Sequence, residues 1–157
     1  MNTDNRFEKT VNMDNDKLLH KDLTDSIIGM YYNVYNELGY GFLESVYHNA
    51  MIIALRKAGH KVESQKRIVV YFEKQAVGEY YADMMVDGLV ILEFKTAVTL
   101  SQEHEYQLIN YLKATDKEIG LLLNFGKTPQ FKRKIFSHHR CRCKSKSQLD
   151  RWNDSRV

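Results

Sequence analysis

Residues 81–95 read YADMMVDGLVILEFK, and the way this stretch pairs with itself decides the fold. Asp87-Gly88 is a strong turn signal between two apolar runs, so the stretch is a β-hairpin. In the second run, Glu93 and Lys95 interrupt VILEF. Two residues apart on a strand, they project from one face. Charges inside such a run are costly to bury unless they are paired or bound to a metal. A two-residue turn would set Asp83 opposite Leu92, facing away from Glu93. A three-residue loop, 87–89, pairs Val86 with Val90 and Asp83 with Glu93. It also sets Ala82, Met84 and Val86 against Phe94, Leu92 and Val90 as one apolar face. A one-residue slip turns every side chain to the other face. Burial therefore selects the three-residue loop, with glycine at the left-handed position of a bulge.

Working outward, Ile68 to Phe72 is β-branched and aromatic and reads as a strand, as does Val77 to Val86. Glu73-Lys74-Gln75 is the polar break between them, and Leu89 to Lys95 is the third strand. Upstream, Leu23, Ile27, Ile28, Tyr31, Val34, Tyr35 and Leu38 recur at helical spacing. Thr24 or Asp22 is the expected cap of that helix, and Gly39-Tyr40-Gly41 its stop. A second helix runs from about Leu43 to Ala58, with Val46, Tyr47, Ala50, Ile53, Ala54 and Leu55 as its apolar stripe. Downstream lie a helix over 101–114, a buried strand over 119–125 and a further strand over 131–136. The order α-α-β-β-β-α-β-β predicts an α/β sandwich on a mixed sheet flanked by helices.

The chain has 157 residues, a net charge of +3 and 43% hydrophobic residues. One domain is expected, large enough to form a core without disulfides or a structural metal. Residues 1–21 lack apolar periodicity and read as a disordered N-terminal segment. The domain spans 22–136. Lys127, Lys132, Arg133, Lys134, Arg140, Arg142, Lys144, Lys146 and Arg151 crowd the end, and residues 137–157 read as a basic, mobile tail. It is either a phosphate-contacting element or a solvated extension. The N-terminus has no apolar h-region, and no run of about 20 apolar residues occurs. A cytoplasmic protein with no membrane association is expected. Cys141 and Cys143, one residue apart, fit free thiols in a reducing compartment. With His138 and His139 they match no usual zinc-ligand spacing. The chain holds no Gly-rich phosphate loop and no nucleophilic serine elbow.

Asp83, Glu93 and Lys95 on neighbouring strands form a plausible site for a hard divalent cation. Mg²⁺ takes oxygen ligands, often one or two carboxylates with waters and a substrate phosphate. The competing reading is an interstrand Glu–Lys or Asp–Lys salt bridge on a solvated face.

Asp83, nine intervening residues and then Glu93-Phe94-Lys95 resemble the D-(x)n-E-x-K signature of the PD-(D/E)xK nuclease superfamily. Two further motifs add to it. Gly41-Phe42-Leu43-Glu44-Ser45-Val46-Tyr47 resembles the G-x-x-E-x-x-Y signature of a small bacterial family of that superfamily. Gln107 and Tyr111 resemble the Q-x-x-x-Y motif of related nucleases. The resemblance covers about residues 22–136 and implies a restriction-endonuclease-like core. It implies a nuclease that hydrolyses phosphodiesters of DNA or RNA with Mg²⁺ or Mn²⁺. Asp83, Glu93, the Phe94 carbonyl and Glu44 would serve the metal, and Lys95 would be the catalytic lysine. Gln107 and Tyr111, one helical turn apart, would face the site. The proline that often precedes the first acid is replaced by Ala82.

Tyr47 lies on an apolar stripe and reads as core ahead of function, and Tyr111 reads equally as core. Glu44 also suits a helix N-terminus as an acid facing the dipole. His104, one turn before Gln107, is a further phosphate-contact candidate. The alternatives to an enzyme are a non-catalytic nucleic-acid-binding module that uses the basic end, and a complex subunit on the same fold.

Overall fold

The computed structural model describes residues 19–138. The expected N-terminal segment up to residue 18, and the basic tail from residue 139, lie outside the described residues. So do Cys141 and Cys143.

Two helices come first, α1 (Lys21–Leu38) and α2 (Glu44–Lys57). Ile27, Tyr31 and Val34 are the buried apolar face of α1, at the three- and four-residue spacing of one helical stripe. The expected caps are not used. His20 occupies the N-cap in a left-handed conformation without a side-chain bond, while the Thr24 hydroxyl donates to the Lys21 carbonyl inside the first turn. Asp22 lies in that first turn, where it complements the helix dipole. Helix α2 buries Tyr47, Met51 and Leu55, a strict four-residue ladder. Val46 and Ile53, expected on that stripe, are exposed. They lie about 100° and 120° round the helix from Tyr47, at 3.6 residues per turn.

The sheet follows as β1 (Val62–Phe72), β2 (Gln75–Val86) and β3 (Val90–Lys95), then helix α3 (Gln102–Ala114), then β4 (Ile119–Asn124) and β5 (Gln130–Ile135). Strand β1 begins earlier than its apolar part. Its first half is polar and is held by pairing with β2 rather than by burial. The spatial order is β1-β2-β3-β4-β5. Only β3 and β4 run parallel, with α3 as their crossover. The sheet is thus mixed, as expected.

Each face has its own core. Helices α1 and α2 cover Met84, Val86, Val90, Leu92, Phe94, Leu121 and Leu123. Helix α3 covers Ile68, Met85, Ile91 and Leu122 through Leu108, Tyr111 and Leu112. Every residue of β4 is buried, as a strand covered on both sides must be.

The β2–β3 register is the predicted one. Val86 pairs with Val90, Met85 with Ile91 and Met84 with Leu92, and the Leu89 N–H donates to the Val86 carbonyl at 3.0 Å. Asp87 as well as Gly88 has positive φ, 52° and 66°, so the loop uses two left-handed residues rather than one. Asp87 is held in place. Its Oδ1 accepts from the Lys61 N–H, and its Oδ2 bonds His60 Nδ1, each at 2.8 Å. His60 Nε2 in turn bonds Ser26 Oγ at 2.8 Å, tying the hairpin loop to α1.

Beyond Met84 and Leu92 the ladder stops, so the expected Asp83–Glu93 and Ala82–Phe94 ladder pairs do not form, and the face expected for Ala82 is wrong. Ala82 joins Ile68, Met85 and Ile91 on the α3 face, not Met84 on the other. The alternation slips at Asp83. Opposite it in β1, Gln65 between the paired residues Ser64 and Lys66 is left-handed at φ 51°. No helix among the described residues is long and apolar enough to cross a membrane.

Candidate active site

The break in the ladder is where the predicted acids meet. The Asp83 N–H donates to Glu93 Oε1 at 3.2 Å, and the Phe94 N–H donates to Asp83 Oδ2 at 2.8 Å. Each carboxylate thus replaces a backbone acceptor of the neighbouring strand. The sheet opens at this point without orphaning peptide donors. Among the described residues, the second oxygen of each carboxylate accepts no hydrogen bond. Glu93 is only 3% exposed. Its carboxyl is pushed up to about 8, chiefly by burial and then by the neighbouring Asp83 charge, with Glu44 adding to the repulsion and Lys95 opposing it. Two acids are therefore held together at a cost that a cation between them would relieve.

Helix α2 brings Glu44 to this opening. Burial and the Asp83 charge raise its carboxyl, while Lys95 and His48 lower it. Glu44 is placed by Tyr47. The buried Tyr47 hydroxyl donates to the Gly39 carbonyl at 2.7 Å and accepts from the Phe42 N–H at 3.3 Å. That closes the loop on which the helix starts. Tyr47 is also stacked on Phe125, ring centroids 4.4 Å apart, so its core reading holds.

His48 was not singled out in the sequence. Its Nε2 bonds the Asp83 carbonyl at 2.9 Å and lies 3.2 Å from Ser64 Oγ, and its ring meets Phe94 edge-on at 5.7 Å. Its position four residues after Glu44 was the available signal, since such residues share a helix face.

Helix α3 supplies the opposite wall. Gln107 Nε2 donates to the Tyr111 hydroxyl at 2.8 Å. Burial raises the Tyr111 phenol most. The Gln107 bond opposes this, and the Glu93 and Asp83 charges add to it, so both acids lie within its electrostatic reach. His104 does other work. It closes a capping box with Ser101, accepting the Ser101 N–H on Nδ1 while its own N–H donates to Ser101 Oγ.

The oxygen donors suit a hard cation that keeps part of its water shell. No three His, Cys, Asp or Glu side chains among the described residues form a complete ligand cluster. A two-carboxylate set completed by water and substrate oxygen fits this arrangement; a closed all-protein cage does not. Two clefts of the described surface lie elsewhere, one against Tyr32 and Phe131 and one against Leu23 and Leu89. The basic strand β5 is engaged internally. Lys132 and Lys134 both pair with Glu105, and the Arg133 guanidinium donates to the Leu19 carbonyl.

No curated protein matches the chain. Among solved structures, SSO0001 superposes with a TM-score of 0.50 at 14% identity, covering 88% of this chain and 67% of that one. At that identity the likeness is one of fold. The family model of the PD-(D/E)XK nuclease superfamily matches residues 21–135, which take in all three helices, the whole sheet and every residue of the opening described above. The chain belongs to the PD-(D/E)XK nuclease superfamily.

Proposed function

We propose that this chain is a divalent-metal-dependent nuclease of the GxxExxY type, hydrolysing phosphodiester bonds of DNA or RNA with Mg²⁺ or Mn²⁺. The observation that carries the proposal is the reciprocal capture of Asp83 and Glu93 on each other's strand, with Glu44 and Lys95 in electrostatic contact. The subfamily reading is supported by the Tyr47 hydroxyl, which closes the Gly39–Phe42 loop and so delivers Glu44.

In this reading Asp83, Glu93 and the Phe94 carbonyl would hold the cation, and Glu44 would serve it or its water from α2. When bound, the cation supplies Lewis acidity and lowers the pKa of an adjacent water. Lys95 orients the attacking water and offsets charge that builds on the phosphoryl oxygens. His48 positions Asp83 by bonding its carbonyl. Gln107 and Tyr111 border the site and hold the substrate backbone against it. Water adds to phosphorus in line, the opposite P–O bond breaks, and the leaving oxygen takes a proton. Nucleic acid is the partner.

The test is cleavage of labelled DNA and RNA oligonucleotides with Mg²⁺ or Mn²⁺ by the native chain, Asp83→Ala and Lys95→Ala. Cleavage should depend on the ion and fall by at least about 100-fold in each variant, since one electrostatic or acid–base contribution is worth about that much. Cleavage that persists in both variants refutes the proposal.

A further inference from the structure

Strand β2 continues past the point where β3 ends, and its residues 75–82 pair only with β1. On this unsupported part, next to the opening, stands Tyr80. It is 50% exposed, and its ring is braced from two sides. Its edge lies 3.3 Å from where a Cβ on Gly78 would stand, so the ring lies close over the Gly78 backbone. Its centroid is 5.9 Å from that of Tyr111, at 46°. Tyr111 is in turn fixed by Gln107 and lies within reach of the Glu93 and Asp83 charges. Tyr80 thus stays half in water while Gly78 and Tyr111 fix its ring, a single ring away from the acids.

We infer that Tyr80 is a stacking platform for a nucleobase beside the scissile phosphate. The preferred substrate therefore carries an unstacked base there: a single strand, a flap or a frayed end. This rests on the nuclease reading for the position of the phosphate. The chemistry follows from the ring. Any base presents a π-face, so stacking on an aromatic platform is tolerant of sequence and needs a base that has left its own stack. A paired base inside a duplex cannot offer that face. Gly78 serves the platform by omitting a side chain. A Cβ there would stand 3.3 Å from the Tyr80 ring, close enough that the ring must shift to admit it.

The experiment uses the full chain in Ca²⁺ buffer. Binding is read from the quenching of a 2-aminopurine placed along a single-stranded oligonucleotide, for the native chain, Tyr80→Ala and Tyr80→Phe. The expected result is quenching at one position of the oligonucleotide. Tyr80→Ala should weaken binding by about 5- to 150-fold, the range for losing one stacked base, and Tyr80→Phe should bind like the native chain. An oligonucleotide abasic at that position should bind the native chain and Tyr80→Ala equally. A duplex of the same sequence should be insensitive to both substitutions. Unchanged affinity in Tyr80→Ala, an equal loss on the abasic oligonucleotide, or no single-strand binding by the native chain overturns the platform. A normal stacking pattern with no Mg²⁺-dependent cleavage supports the platform while overturning the nuclease reading, so the two failures are separable.

Discussion

Glu93 is the residue on which the physical argument turns. A carboxyl pushed up to about 8 by burial and by Asp83 is held in the folded protein against its preference for water. The sign follows directly. The folded pKa lies above the unfolded one, so the carboxylate costs stability, and that cost appears as pH rises from about 4.5 through about 8. In EDTA, the native chain should lose stability across that window, on the order of a few kcal/mol, and Glu93→Gln should lose far less. Denaturant melts at pH 5 and pH 8 measure this. Parallel curves for the two proteins would contradict it. The residue scale was also the most legible. Strand spacing points to Asp83, Glu93 and Lys95, and the family resemblance adds Glu44, Gln107 and Tyr111; the fold gathers Asp83, Glu93, Lys95 and Glu44 while placing Gln107 on Tyr111 beside them. His48 and Tyr80 were not named. His48 carries only the weak signal of lying four residues after Glu44, and one aromatic among many on a strand has no distinctive spacing.

At the scale of elements, the hairpin register was readable because a single slip would have buried charges and exposed apolar side chains. What burial does not encode is the break at Asp83. Periodicity counts faces, whereas the break arises from two side chains accepting peptide N–H groups that a ladder would have used. Ala82 was misplaced for that reason, and the stripe of α2 was read too broadly because Met51, not Ile53, points inward. The loop itself is testable. Gly88 has φ 66° with open space where a Cβ would stand, so Gly88→Ala carries only the conformational penalty of a left-handed residue, about 1 kcal/mol. Urea unfolding should show a lower midpoint with an unchanged slope, and cleavage per folded molecule should be unaltered. An unshifted midpoint would show that the left-handed residue carries no penalty there.

At the scale of the whole molecule, four elements from three layers meet at one gap in the sheet. Helix α2 brings Glu44 and His48, the parted ends of β2 and β3 bring Asp83, Glu93 and Lys95, and α3 brings Gln107 and Tyr111. The mixed sheet makes this possible. An antiparallel hairpin delivers the two acids side by side, and the parallel step to β4 sends α3 over the same face. The element order predicted this arrangement. It did not predict that basic side chains of β5 would be spent on Glu105 and Leu19 within the domain, because a pattern of lysines does not reveal their partners. The central claim is that the gap holds a divalent cation between two acids. The most direct measurement is the anomalous density of Mn²⁺ in crystals of the native chain. The account predicts a peak within about 2.5 Å of both Asp83 and Glu93 carboxylate oxygens, absent in Asp83→Ala. A native crystal with Mn²⁺ bound elsewhere and none between these two residues would contradict it.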